Sequence, residues 1–414
     1  MSELDRQLRS YAEQLDASAP SLEELELRAS SPEPSRAGRI PTWVAVAGAA
    51  AVVVIAIGSA ALFSSIRGDS VEEVSATTTV TDVAPSTTVD VPPTTAVPVF
   101  SESPYVSLVS DTPAYAGGAE GDVGGHPMVD AGPIVINAAG YHTLFAAGGE
   151  DETWDAVFYA RSDDGNTWSV QQEPVSMPGI EGASALVVQS LLQLEDGSWM
   201  TFFHVAHDVG GHGAHIFEYE IRSATASSPE GPWLVSPDAL LLPDPASWDS
   251  YAVTNPNVFI TDEEWVMFYT GHAKEPKDGE EVPEGVVGSA AIGIARSSDG
   301  ASWAKEELPV FTGDPASTWE EGAATNGTVA TTPEGWILLY AGRTGGSRGM
   351  AVSSDGVGWQ RVSEQPVLTA LDLPRPAIFT VSLIDDAGDL RLYVSNGGRR
   401  TTSSVYEMEL LLNP

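Results

Sequence analysis

The chain has 414 residues, a formal net charge of −39, three lysines and no cysteine. That charge opposes electrostatic binding to nucleic acid or to an anionic bilayer surface, so no nucleic-acid partner is expected. Without cysteine the fold contains no disulfide, no thiolate metal site and no thiol nucleophile.

Residues 1–39 are polar, with one short helix candidate on which Leu4, Leu8, Tyr11 and Leu15 fall at helical spacing. Ala-Pro and Ser-Pro pairs then break it, and the rest has the composition of a disordered tail. Residues 40–66 are expected to form a transmembrane α-helix, because 44–63 is twenty residues without a charge. At about 1.5 Å per residue it spans roughly 30 Å, the hydrocarbon thickness. Arg36 and Arg39 precede it, whereas Arg67 is the last basic residue before Arg161. The positive-inside rule then gives a single pass through the cell membrane, with the N-terminus cytoplasmic and the remainder extracytoplasmic. The bilayer is thus an expected partner through one helix. Residues 67–100 are rich in Thr, Ser and Pro, as in Val91-Pro92-Pro93-Thr94-Thr95, and form a Thr/Pro-rich stalk expected to be disordered and extended.

Residues 101–414 carry a unit that recurs five times. Its clearest copy is Asn255-Pro256-Asn257-Val258-Phe259-Ile260, an acidic turn, and Trp265-Val266-Met267-Phe268-Tyr269-Thr270-Gly271, the pattern of a β-hairpin. The second-strand motif returns at Tyr141, Trp199, Trp336 and Leu390, with successive copies 58, 66, 71 and 54 residues apart. Units of this size bury their faces only by stacking on neighbours, and radial stacking of small sheets gives an all-β, five-bladed β-propeller. The last unit supplies only three strands, so the segment Tyr105-Val106-Ser107-Leu108-Val109 is expected to close it as the fourth.

A turn repeats with the blades. Ser162-Asp163-Asp164-Gly165-Asn166-Thr167-Trp168 has relatives ending at Trp303 and Trp359, and a looser Gly231-Pro232-Trp233 copy. Aspartate accepts from nearby backbone amides, glycine supplies positive φ, and tryptophan packs on the outer strands, so these residues read as structural. Together with Asn-Pro-Asn-Val-Phe leading to Met-Phe-Tyr-Thr-Gly, this signature over about 125–414 resembles the five-bladed propeller glycoside hydrolases. These are the arabinanase, β-xylosidase and β-fructosidase families numbered 43 and 32.

The resemblance implies a site at the axial end of the ring, where each innermost strand begins, and cleavage by a carboxylic acid and a second carboxylate. Asp130, eleven residues before Tyr141, resembles the first-blade aspartate that serves as base or nucleophile. Trp319-Glu320-Glu321 resembles the Trp-Glu of the general acid, with either glutamate a candidate. Asn255 stands before Pro256 where the family often has Asp-Pro; it cannot titrate but can bond a sugar. Asp249 is a possible substitute for the missing carboxylate, and Arg375, between prolines, is placed to bind a substrate hydroxyl. His204 and His272 follow second strands and are expected to face the axis. His204, His207, His212 and His215 lie within twelve residues and could hold zinc, although their spacing matches no zinc motif. No cofactor is required, and a divalent cation is left open. The reading is a membrane-anchored, extracytoplasmic glycoside hydrolase-like protein acting on an external or cell-wall glycan. The alternative is a non-catalytic propeller binding glycan or protein, with a sensor role through its tail.

Overall fold

A computed structural model describes residues 105–410 apart from 118–122, 124–125, 150–153, 210–216, 262–263, 274–289, 370–371, 375–376, 387–388, 398–402 and positions 111, 155, 181 and 344. The expected tail, transmembrane segment and stalk, 1–100, lie outside the described residues. No helix among the described residues is long and apolar enough to cross a membrane.

The described chain is all-β. It opens with β1 (Val106–Leu108) and β2 (Tyr115–Ala116), which are taken up by the last sheet. Blade one has an interrupted inner strand, β3 (Met128–Val129) and β4 (Ile134–Asn137), followed by β5 (Gly140–Gly148), β6 (Ala156–Ser162) and β7 (Trp168–Val170). Blade two is β8 (Ala185–Gln193), β9 (Trp199–Asp208), β10 (Phe217–Ala226) and β11 (Leu234–Val235). Blade three is β12 (Ala252–Ile260), β13 (Trp265–His272), β14 (Ala290–Ser297) and β15 (Ala304–Lys305), with β16 (Phe311–Thr312) also on β14. Blade four is β17 (Thr325–Thr332), β18 (Gly335–Ala341), β19 (Ser347–Ser353) and β20 (Gln360–Arg361), with β21 (Leu368–Thr369) on β19. Blade five is β22 (Ala377–Asp386), β23 (Asp389–Gly397) and β24 (Ser403–Leu410), and β1 completes it by pairing Val106 with Leu410. The expected closure by the N-terminal strand is therefore present, and it covers an edge that would otherwise be open.

Five hydrophobic clusters hold the ring together, and each lies between two adjacent blades. Leu144 and Leu186 share the cluster of blades one and two, Phe202 and Met267 that of two and three, and Phe268 and Leu338 that of three and four. Leu339 and Leu392 join blades four and five, and Phe145 and Tyr393 join five back to one. Alternation along a strand explains this arrangement. Phe202 and Phe203 are neighbours in β9, both fully buried, yet they serve opposite faces and different clusters.

The repeated turn behaves as its composition requires. Asp164 Oδ1 accepts from the amides of Asn166 and Thr167 at 2.9 and 2.8 Å. Asp299 and Asp355 do the same in their own turns. These bonds hold the Asp299 carboxyl down at about 2. Gly165, at φ +80°, sits where a side chain would be strained, and Trp168 Nε1 donates to its carbonyl at 2.8 Å.

Every inner strand is irregular near its start. Register shifts fall between Val188 and Ser190, Thr254 and Asn257, Thr325 and Thr328, and Ile378 and Val381, while blade one breaks between β3 and β4. A bulge releases backbone groups from the ladder, and in a buried ring those groups need partners. Polar side chains of the preceding blade supply them. Ser190 Oγ donates to Pro256 O at 2.9 Å and accepts from Val258 N at 2.7 Å. Asn257 Nδ2 donates to Gly327 O at 2.9 Å, and its Oδ1 accepts from Val329 N at 3.1 Å. Thr328 Oγ1 donates to Val381 O at 2.7 Å, and Thr380 Oγ1 accepts from Ala131 N at 2.8 Å. This girdle runs from blade two through blade five to blade one. Ser190→Ala leaves two buried backbone groups unpaired, and a loss of about 1–3 kcal/mol is expected in urea denaturation.

Candidate functional site at the ring axis

Each blade has one polar residue at the irregularity of its inner strand: Asp130, Gln189, Asn255, Asn326 and Thr380. A cavity of about 220 Å³ is lined by Gln189 of these and by residues that follow the others, Ala131, Asn257, Thr328 and Val381 among them, so all five inner strands face one space. Asn255 and Asn326 adopt left-handed backbone conformations, φ +52° and +49°, which asparagine tolerates better than most residues. Among the described residues, the side-chain amides of Gln189, Asn255 and Asn326 have no hydrogen-bond partner. Each offers one acceptor and two donors, and none can titrate.

Asp130 is the ionisable member of the ring. It is fully buried; Thr380 Oγ1 donates to its Oδ1 at 3.1 Å, and its Oδ2 has no partner. Burial pushes its carboxyl up to about 7, against the lowering effect of the Thr380 bond. The Tyr115 hydroxyl donates to the Asp130 main-chain carbonyl at 3.0 Å and fixes the backbone where β3 ends.

His204 and His272 border Asn255. His204 Nδ1 accepts from the Asn255 amide at 3.2 Å, which places the imidazole proton on Nε2. His272 Nε2 meets Thr254 Oγ1 at 3.2 Å. Burial, reinforced by His272, holds His204 down at about 3, and burial holds His272 at about 4. Both are neutral at ordinary pH. His204 also has a structural task, because it satisfies a bulge amide much as Thr270 Oγ1 accepts from Gly327 N in the next blade.

The acidic candidates of blades three and four are not part of this ring. Glu320 is 1% exposed, and its carboxylate accepts from Arg361 Nη2 at 2.7 Å, Arg361 Nε at 3.0 Å, Tyr340 Oη at 2.7 Å and the Asp314 amide. Arg361 belongs to the outermost strand of its blade, β20. Asp249 repeats the arrangement: Lys305 Nζ of β15 lies 2.5 Å away and Tyr269 Oη 3.1 Å away. The preceding tryptophans match as well, Trp319 stacking on Tyr340 and Trp248 on Tyr269 with centroids 5.6 and 5.7 Å apart. Trp-acid is therefore a blade-locking clamp present twice. Glu321, the next residue, differs: it is exposed, left-handed at φ +46°, and 3.9 Å from Arg343 Nε.

Arg375, His212 and His215 lie outside the described residues. His207 Nε2 meets Glu220 Oε1 at 3.4 Å. Among the described residues, no group of three or more His, Asp or Glu side chains is arranged to hold a metal ion.

Gln189, Asn326 and Thr380 are ring members that reading the strands one at a time overlooks. A signal for them exists. Gln189, Asn255, Asn326 and Thr380 each stand ten residues before the second-strand motif at Trp199, Trp265, Trp336 and Leu390, and Asp130 stands eleven before Tyr141.

No protein-family profile matches the sequence, and a comparison with curated proteins gives no match. Solved structures do resemble it. A thermostable family-43 glycoside hydrolase aligns with a TM-score of 0.52 and 15% identity, over 70% of this chain and 92% of the other. Zg3597, a family 117 glycoside hydrolase of Zobellia galactanivorans, aligns at 0.53 and 14%, over 74% and 90%. An N-acetylgalactosamine deacetylase of F. plautii, in complex with blood group B trisaccharide, aligns at 0.51 and 15%, over 73% and 95%. At such identities the likeness is one of fold, and what the ring does must be read from its own side chains.

Proposed function

We propose that the chain is a glycan-acting propeller that binds a neutral carbohydrate at the axial ring. The observation that carries this reading is the set of free carboxamides, Gln189, Asn255 and Asn326, around one buried carboxyl, Asp130. Neutral groups that both donate and accept suit sugar hydroxyls. The solved structures of like fold support a carbohydrate ligand, since one is in complex with a trisaccharide and others are glycoside hydrolases. The ring favours recognition over hydrolysis. Two-carboxylate cleavage needs a second acid about 5–10 Å from the first, whereas the bulge positions of blades three and four carry asparagine. Glu320, paired with Arg361, acts as a clamp in this reading.

The 44–63 segment anchors the protein in the cell membrane, with the N-terminus cytoplasmic and the propeller outside. Val106 pairs with Leu410 at the end of the blade away from Ser403, so the first described strand enters the ring at the end opposite the starts of the inner strands. A hydrolytic reading is kept for Glu321, because it is an exposed carboxylate in a left-handed backbone four residues before β17 begins.

Titration calorimetry of the full chain with neutral oligosaccharides, followed by mass analysis of the mixtures, tests the proposal. Binding with intact ligand is expected, and Asn255→Ala or Asn326→Ala should each weaken it about tenfold. Cleavage that survives Asn255→Ala but is lost in Glu321→Gln would overturn recognition in favour of hydrolysis.

A further inference from the structure

Arg348 is the second residue of the third strand of blade four, β19, and is 1% exposed. Its guanidinium has no carboxylate partner among the described residues. Burial of an unpaired cation is costly, and here it pulls the guanidinium down to about 10. The charge donates only to carbonyls: Nη1 to Gly345 O at 2.8 Å and Ser347 O at 3.1 Å, and Nη2 to Phe379 O at 2.8 Å, while Nε is left over. A residue kept at such a cost invites the question of what those carbonyls need.

Phe379 answers it. The β22 bulge sets Phe379 and Thr380 opposite the single residue Ser395 and takes the Phe379 carbonyl out of the ladder. In blades three and four the bulge carbonyls are satisfied by Ser190 and Asn257, neutral side chains of the inner strands. Blade five has the equivalent bond, Thr328 Oγ1 to Val381 O, and its Phe379 carbonyl additionally receives a cation from the neighbouring blade's third strand. The next residue, Thr380, has one hydroxyl hydrogen, which goes to Asp130 Oδ1, while its Oγ1 accepts from Ala131 N. The aim of that hydroxyl depends on the bulge being held in place.

We propose that Arg348 is a positioning residue for the axial site: by gripping the Phe379 carbonyl it fixes the bulge from which Thr380 reaches Asp130. The inference rests on the ring being the ligand site only for its consequence on binding. The titratable neighbour of Asp130 is Tyr115, which burial keeps protonated far above its ordinary range, so a titration near neutrality reports the carboxyl. Thr380 lowers the carboxyl's midpoint, and losing its bond raises it.

The test is a carbon-detected NMR titration of the Asp130 carboxyl in the full chain. Arg348→Met should raise the midpoint by about one pH unit, and the same substitution in a Thr380→Val background should move it no further. Arg348→Lys, which keeps the charge and one donor, covers the case in which the methionine variant does not fold. It should raise the midpoint by less, and again not at all beside Thr380→Val. A lowered melting temperature with an unchanged midpoint would make Arg348 merely structural. A shift persisting undiminished in the Thr380→Val background would exclude the route through the hydroxyl. Failure of the wild type to bind any glycan, with these shifts intact, would sink the ligand reading and leave the positioning role standing.

Discussion

Asp130→Asn is expected to stabilise the propeller at pH 8 and to remove much of its stability loss between about pH 4 and 7. The carboxyl moves from an ordinary value of 3.8 in the unfolded chain to about 7 in the fold. A raised folded value means that the contribution is fully present below 3.8 and is lost as pH rises through about 7. Above that point the fold carries a buried anion whose Oδ2 nothing satisfies. At about 1.4 kcal/mol per tenfold change, the loss approaches 4 kcal/mol as an upper bound. Asparagine keeps an acceptor for Thr380 and carries no charge. Denaturation of both proteins at pH 4.5 and pH 8 checks this: the difference should be small at the lower pH and favour the variant by about 2–4 kcal/mol at the higher. Parallel pH profiles would show that Asp130 ionises freely in the fold.

Arg361→Met is expected to have the second large effect. Glu320 is almost wholly buried, and Arg361 meets it with two nitrogens while lying 4.6 Å over the Phe311 ring. Removing the cation strands the carboxylate, a situation that costs about 3–5 kcal/mol. For a domain of this size that is a fall in Tm of roughly 5–15 °C. Pairing the change with Glu320→Met removes both charges and should recover most of the loss, because two apolar groups of similar volume need no counter-charge. Thermal melts of the single and double variants decide it. A single variant as stable as the wild type would mean that the clamp does not lock the blade. The same experiment bears on function, because an acid held by a bidentate arginine in the outermost strand is not free to protonate a leaving group.

The ring was legible in the sequence because its signals are local. Period-two alternation, the spacing of the second-strand motif and the Asp-x-Gly turn each depend on a few adjacent residues, and together they give five sheets and the closing role of 105–109. The site was less legible, because a motif reports residue type and not direction. Trp319-Glu320 has the expected composition, yet Tyr340 and Arg361 occupy the carboxylate, and both come from strands later in the chain. Asp249 is occupied in the same way by Tyr269 and Lys305. Asp130 could be placed by its offset before Tyr141 and Asn255 by the proline that follows it, ten residues before Trp265. Gln189, Asn326 and Thr380 obey the same offset without an acidic or Asn-Pro cue to draw notice. The burial of His204 followed from its strand position, but its acceptance of the Asn255 amide required knowing that β12 bulges there.

The central claim is that a girdle of bulged strands presents free carboxamides to a neutral sugar. Its most direct test is a glycan array probed with the full chain and with the Asn255→Ala/Asn326→Ala double variant. The account predicts that neutral glycans retain the wild type and not the double variant. Equal retention of both proteins on the same glycans would contradict it.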